Sequence, residues 1–450
     1  MFSLHRSHLV TFLLLATFMT FPASLQGQDP PLTTDRWNRA ALEWIRLLDE
    51  GFFREAGARV DPAVPEGAMG PEELETLWAR ISAQLGQLQS VTHGTVSQGG
   101  GYHLVDLPST FENQSVVLRV VLTHSLLISG FFIRPAEPPP YESPGYVDPK
   151  EFQEVEVTVG SDSLPLPGIL TIPVSEHDVP AVVLVHGSGP NDRDETIGPN
   201  RPFKDLAWGL GSRGIAVLRY DKRTRAHPTR VSSDIGLEEE VIQDALSALE
   251  LARRHEEIDG SRVFLLGHSL GGILAPEIGL RDGGLAGIAI LGGSARPFFQ
   301  VLEGQLEYLA GLEEDSEGQN RRQLDSLISV VRGMEAGDVP DTQVVLGAPA
   351  SYWRQVAGVD PVAMARRLST PLFIAQGGRD YQATSEDLAR WEAGLREKDR
   401  VQTRLYPELN HLFMAGAGMA TPEEYVSGQG HVAEPLIQDL ADWIHGAGGS

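Results

Sequence analysis

Gly267-His268-Ser269-Leu270-Gly271 sets a serine between two glycines directly after the apolar run Arg262-Val263-Phe264-Leu265-Leu266. The pattern reads as a buried strand, a sharp turn and a helix, the arrangement called a nucleophile elbow. A serine hydroxyl is a poor nucleophile at neutral pH and needs a base, an anion-stabilising site and exposure. The turn supplies the exposure, and the glycines let it close where side chains would collide with backbone. G-x-S-x-G alone is weak evidence, so its partners decide. Asp380 follows the strand-like run Pro371-Leu372-Phe373-Ile374-Ala375-Gln376 and the turn Gly377-Gly378-Arg379. His411 follows Val401–Tyr406 and Pro407-Glu408-Leu409-Asn410. A carboxylate that orients an imidazole, and an imidazole that takes the serine proton, complete the parts for acyl transfer. The plainer readings are a turn aspartate and a loop histidine. His431 and His445 are rival bases, but they read as the start and end of the last helix. Asp387 and Asp399 fall within or after a predicted helix and are worse placed than Asp380. The last part is the loop His186-Gly187-Ser188-Gly189-Pro190 after the apolar run Ala181–Val185. Backbone N–H groups there, with the one after the nucleophile, stabilise negative charge on a carbonyl oxygen. The donors are assigned to Ser188 and Leu270, with Gly189 the alternative to Ser188 and a plain glycine-rich turn the rival reading.

These residues need strands that end at one edge. Strand-like runs at 181–185, 215–220, 262–266, 286–291, 371–376 and 401–406 alternate with helical patterns near 203–212, 237–254, 270–281, 384–397 and 432–444. That rhythm predicts an α/β fold, a mostly parallel sheet with helices on both faces. Val155–Val159 and Leu164–Ile172 flank a Gly160-Ser161-Asp162-Ser163 turn and read as an antiparallel hairpin leading the sheet. Residues 297–368 interrupt the rhythm with helical patterns at Phe298–Leu312 and Arg322–Met334. They read as a helical lid, with the helices at 297–335 and the segment around Tyr352-Trp353 walling an acyl pocket. Upstream, Asp35 to about Glu55 carries Trp37, Ala41, Trp44, Ile45 and Leu48 at helical spacing. A second helix opens at Pro71 with Leu74, Leu77, Trp78, Ile81 and Leu85, and strand-like runs follow at Tyr102–Leu107, Ser115–Leu122 and Ser125–Ile133. The order predicts a small, curled α+β domain over 35–134, then a proline-dense linker over 135–150 and a catalytic domain over 151–447.

Residues 181–445 resemble the α/β-hydrolase superfamily, in which nucleophile, acid and base follow in the chain order Ser, Asp or Glu, His. The stretch His186-Gly187-Ser188-Gly189-Pro190-Asn191-Asp192-Arg193-Asp194-Glu195, with Arg219-Tyr220-Asp221-Lys222-Arg223 after it, resembles bacterial two-domain carboxylesterases of the EstD type. Those pair a small N-terminal α+β domain with a hydrolase domain. The resemblance implies a serine carboxylesterase acting through an acyl-enzyme, with Ser269 as nucleophile, Asp380 as acid and His411 as base, and is less specific for the substrate. Such chemistry calls for no metal and no organic cofactor. A secreted serine peptidase, a thioesterase and a non-enzymatic binding protein on the same scaffold are the alternatives. Asp192, Asp194 and Glu195 lack the spacing of a calcium loop and read as site-shaping. Residues 219–223 read as an ion-pair cluster behind the site, and His268 as pointing away from it.

The chain has 450 residues and a formal net charge of −25, which argues against nucleic acid or an anionic membrane surface as partner. It has no cysteine, so disulfides and thiolate chemistry are excluded. His5, Arg6 and His8 precede an apolar run from Leu9 to Met19, and Pro22-Ala23-Ser24 and Gln26-Gly27-Gln28 follow. This predicts a signal peptide over 1–27 and a secreted or periplasmic protein without stable membrane association after cleavage, a retained anchor being the rival. The expected partner is a small-molecule ester. The acidic, modestly hydrophobic chain suggests short acyl groups rather than lipid droplets.

Overall fold

The protein is described here by a computed structural model covering residues 34–447 except 66, 113–114, 136–140, 161–163, 175–176, 233–234 and 313–318. The expected signal peptide lies outside the described residues, as do 136–140 of the expected linker and 161–163 of the expected hairpin turn. The described residues form two compact units, one ending before Tyr141 and one beginning there.

In the N-terminal unit, α1 (Thr34–Asp49), α2 (Phe53–Gly57) and α3 (Pro71–Leu85) precede β1 (Leu88–Val91), β2 (Thr95–Gly99), β3 (Tyr102–Phe111), β4 (Ser115–Leu122) and β5 (Ile128–Pro135). The strands make one antiparallel sheet, with β1 and β2 both on β3 and then β4 and β5. Trp37, Ala41, Trp44, Ile45 and Leu48 are buried on one stripe of α1, as the spacing predicts. The expected single helix to Glu55 is broken, because Gly51 takes φ +79° and turns the chain before α2. On α3, Leu74, Trp78, Ile81 and Leu85 face the core, while Leu77 sits off that stripe and is 37% exposed.

The second unit begins with β6 (Phe152–Val159), β7 (Leu166–Pro173), β8 (Val179–Val185), α4 (Pro202–Gly211), β9 (Ala216–Tyr220) and the single turn α5 (Arg223–Ala226). A π-helical turn, Glu238–Ile242, runs into α6 (Gln243–Arg253), followed by β10 (Ile258–His268), α7 (Leu270–Asp282) and β11 (Gly287–Leu291). The insertion holds α8 (Phe298–Leu312), α9 (Gln319–Ala336), the small hairpin β12 (Val344–Val345) and β13 (Ala348–Pro349), α10 (Ala350–Ala357) and α11 (Pro361–Arg367). It returns to β14 (Leu372–Gly377), α12 (Ser385–Leu395), β15 (Val401–Tyr406) and α13 (Glu434–Ala447). The eight-stranded sheet runs β15-β14-β11-β10-β8-β9-β7-β6. The strands from β9 across to β15 pair in parallel, while β6 and β7 are antiparallel. Every residue of β8, β9, β11 and β14 is buried, which explains their continuous apolar runs. Two cores lie on the two faces. Of the 297–368 segment, α11 packs on α7 and α12 and so belongs to the helical layer rather than to a cover. The end of the expected linker is tied to this unit too, since Tyr141 donates to Asp205 at 2.5 Å and Tyr146 to the Val432 carbonyl at 2.8 Å. Two aromatic rings give that proline-dense stretch something to bury.

Candidate active site

Because the parallel strands end at one edge, the loops after β8, β10, β14 and β15 meet there, and ligands bind in α/β sheets at such an edge. Ser269 lies between β10 and α7 with φ 53° and ψ −116°, a strained conformation for a residue with a side chain. Its N–H donates to the Leu291 carbonyl at 2.9 Å. A Cβ on Gly267 would stand 2.2 Å from the Gly271 carbonyl oxygen, and one on Gly271 would stand 2.2 Å from that of Val185. Both flanking glycines are therefore required by backbone packing.

Asp380 and His411 are brought together as the spacing predicts. His411 Nδ1 lies 2.7 Å from Asp380 Oδ2, and both side chains are buried. Gln376 Nε2 donates to the same Asp380 oxygen at 3.0 Å, and the Gln382 and Ala383 N–H groups donate to the other at 2.7 and 3.1 Å. The carboxylate has its orientation fixed by three donors besides the imidazole. Gly292, with φ +59°, packs beneath the pair, where a Cβ would be 3.3 Å from the imidazole. The two loops share a further carboxylate. Glu424 accepts from Arg379 through both oxygens, at 2.8 and 2.6 Å, and from Asn410 at 3.2 Å. The residues immediately before Asp380 and His411 are thereby pinned to one group.

The loop after β8 is held from several sides. The Gly187 N–H donates to Glu195 Oε1 at 2.6 Å, so it is committed to a carboxylate. Its carbonyl accepts from Lys222 at 3.1 Å and from Asn191 at 3.2 Å. The Ser188 and Leu270 N–H groups donate to no other group among the described residues. Leu270 is the first residue of α7, where the helix leaves its N–H groups without intrahelical partners. A Cβ on Gly187 would come within 3.1 Å of Ser269 Cβ, so a side chain there would crowd the serine.

His268 does point away from the cleft. Its Nε2 donates to the His411 carbonyl at 2.9 Å and its Nδ1 lies 2.8 Å from Glu195 Oε2. Burial works against charge on both partners. Even so, their mutual attraction and hydrogen bonds hold the Glu195 carboxyl below its ordinary range and push the His268 imidazole above its own. His186 is driven down to about 4 by burial. Asp194 pairs with Arg219 at 2.8 Å, Arg223 with Asp244 at 2.5 Å, and Arg193 with Asp221 at 2.9 Å. The rival histidine, His431, is bound to Asp205 at 3.1 Å, and Asp387 caps α12 and pairs with Arg296 at 2.8 Å.

Ser269 and His411 line one cavity of about 80 Å³ with Ser188 and Leu270. Its apolar wall comes from Ile273 of α7, Phe298, Val301 and Leu302 of α8, and Trp353 of α10. Among the described residues none of α9 lines it, and Tyr352 is turned the other way, its hydroxyl 2.5 Å from Glu240. The sequence reads Glu195 only as site-shaping and Lys222 only as part of the ion-pair cluster, and it gives Glu424 no part in the site. Glu195 and Lys222 stand inside the two motifs singled out there, whereas Glu424 lies on the short 3₁₀ turn Pro422–Tyr425, which carries no periodic or motif signal.

The model of the family described as "Alpha/beta hydrolase family" matches residues 182–427. The chain is 38% identical over 376 residues to Esterase EstD of Thermotoga maritima, covering 83% of this chain and 87% of that one. Among solved structures it is similar to Est1E of Butyrivibrio proteoclasticus, with TM-score 0.43 and 16% identity over 64% of this chain and 99% of that one. It is likewise similar to an esterase of Pyrococcus furiosus, with TM-score 0.43 and 16% identity over 69% of this chain and 96% of the other.

Proposed function

The chain belongs to the α/β-hydrolase family, and from that membership we propose that it is a serine carboxylesterase for small, short-chain esters. The observation that carries the reading is the buried His411–Asp380 contact of 2.7 Å beside a cavity that Ser269 also lines. Identity of 38% to an esterase supports the same reaction class.

Ser269 Oγ attacks the ester carbonyl while His411 Nε2 takes its proton. Asp380, on Nδ1, keeps the other ring nitrogen as the proton acceptor and stabilises the imidazolium that forms. The Ser188 and Leu270 N–H groups receive the oxyanion, helped by the positive end of the α7 dipole. His411 then protonates the departing alcohol, and water repeats the sequence to release the acid. The apolar wall of Ile273, Phe298, Val301, Leu302 and Trp353 takes the acyl chain. Each buried methylene gains about 0.8 kcal/mol until the space is full, after which overpacking costs affinity. With a cavity of only about 80 Å³, kcat/KM should peak early in the series from p-nitrophenyl acetate to palmitate.

Purified wild type and Ser269→Ala compared on p-nitrophenyl esters, acyl-CoAs and aminoacyl anilides test the proposal. Ester hydrolysis that is lost in Ser269→Ala supports it. Preference for acyl-CoA or anilide, or a steady rise through the longest acyl chains, overturns the substrate class. We also propose export, on the basic, apolar and small-residue progression at the N-terminus. N-terminal sequencing of the secreted or periplasmic protein should give a start between Ser24 and Asp29, and intact Met1 in a cytoplasmic fraction would refute it.

A further inference from the structure

We propose that Lys222 is a positioning residue for the oxyanion site, its ammonium fixing and polarising the peptide group between Gly187 and Ser188. The inference rests on the reading of Ser188 N–H as an oxyanion donor.

Lys222 is 2% exposed. Burying an ammonium is costly unless it is paired and hydrogen-bonded, so its position needs a reason that an apolar side chain would not meet. Lys222 Nζ donates to the Gly187 carbonyl at 3.1 Å and lies 3.5 Å from Glu240 Oε1. The Gly187 carbonyl and the Ser188 N–H belong to one planar trans amide, in which C=O and N–H point in opposite directions. Anchoring the oxygen at Lys222 therefore aims the hydrogen away from Lys222, on the residue that lines the cavity with Ser269. A cation on the carbonyl oxygen also draws electron density through the amide, so the N–H becomes a stronger donor as negative charge develops on the substrate. Gly187 is thus gripped by a carboxylate on its own N–H, from Glu195, and by a cation on its carbonyl.

The counter-ion is held with equal care. Glu240 lies on the π-helical turn Glu238–Ile242, a local geometry often kept at functional sites. Its Oε1 accepts from Thr224 at 3.1 Å and its Oε2 from the Tyr352 hydroxyl at 2.5 Å. Tyr352 adjoins Trp353, which walls the cavity. A polar path therefore joins Tyr352, the chain neighbour of the wall residue Trp353, to the oxyanion peptide through Glu240 and Lys222.

The test compares Lys222→Met with wild type and Ser269→Ala on p-nitrophenyl acetate, with inhibition by an alkylboronic acid as a tetrahedral-adduct probe and circular dichroism as the fold control. The expected result is a kcat lowered about 10–100-fold, short of the roughly 10²–10³ for deleting a whole donor. KM should stay within about threefold, and the boronate inhibition constant should rise by the factor that kcat falls. A role in folding alone would lower thermal stability without that split. If Lys222→Met does not fold, Lys222→Gln, which keeps an N–H donor and removes the charge, is read in its place. Wild-type kcat in the folded variant, or a loss confined to KM, overturns the inference. Retained activity in Ser269→Ala would instead overturn the esterase reading on which it rests, so the two failures are distinguishable.

Discussion

Ser269 keeps a backbone conformation that costs on the order of 1–3 kcal/mol because Gly267 and Gly271 leave room for it and its N–H is bound to Leu291. The return is a hydroxyl on the rim of the cavity. Since triad members act as a unit, His411→Ala should lower kcat by roughly 10⁴–10⁶, with Asp380→Asn somewhat milder. His431→Ala should stay active, and steady-state kinetics of the three variants check this. The Glu195–His268 pair sets a pH dependence of stability. Glu195 has a lowered folded value, so its contribution is present above the ordinary 4.5 and is lost as pH falls through the folded value. His268 has a raised folded value, so its contribution is complete below the ordinary 6.5 and is lost as pH rises through the folded value. The melting-temperature difference between wild type and His268→Gln should therefore be greatest between about pH 4.5 and 6.5 and shrink on either side. A difference that grows steadily to pH 9 would contradict the pairing. Ser269 and Asp380 were legible because each follows a buried apolar strand whose end a motif or a loop marks, and His411 because it follows the strand-like run of β15, which has no buried residue but ends in a loop. The partners of Glu195, Lys222 and Glu424 were not legible, because a charged side chain that bonds a backbone group or a distant loop leaves no spacing behind in the sequence.

At the scale of elements, the loops after β14 and β15 depend on Glu424, which joins Arg379 and Asn410. Glu424→Ala leaves a largely buried guanidinium without its carboxylate and should cost several kcal/mol, with a fall in kcat that exceeds any change in KM. Chemical denaturation and p-nitrophenyl acetate kinetics read the two effects. On the acyl side, Phe298 of α8 stacks on Trp353 with ring centroids 5.7 Å apart, and both rings line the cavity. Phe298→Ala should move the optimum toward longer p-nitrophenyl esters, and an unchanged optimum would show that α8 does not bound the acyl chain. The buried parallel strands of the second unit fall within a few residues of their sequence boundaries because they are continuous apolar runs, whereas α5, β12, β13, α10 and α11 are too short to carry a period and were not read. β1 and β2 escaped notice because they are short and mostly exposed, with no alternation to read. The turn at Gly51 escaped because the apolar stripe of α1 ends only just before it.

At the scale of the molecule, each unit has a core made of its own residues. Trp44 is fully buried in the N-terminal core and bonds the Ala56 carbonyl at 3.1 Å. Trp44→Ala should cost its unit about 3–5 kcal/mol. Below the melting range, kcat on p-nitrophenyl acetate should be unchanged, since Ser269, Asp380 and His411 belong to the other unit; calorimetry alongside kinetics checks both. The account as a whole stands on one covalent bond. Intact-mass and peptide mass spectrometry after reaction with a fluorophosphonate should find a single adduct, on Ser269, formed in step with loss of esterase activity and absent from Ser269→Ala. An adduct on another residue, or full esterase activity in a protein whose Ser269 is quantitatively modified, would contradict it.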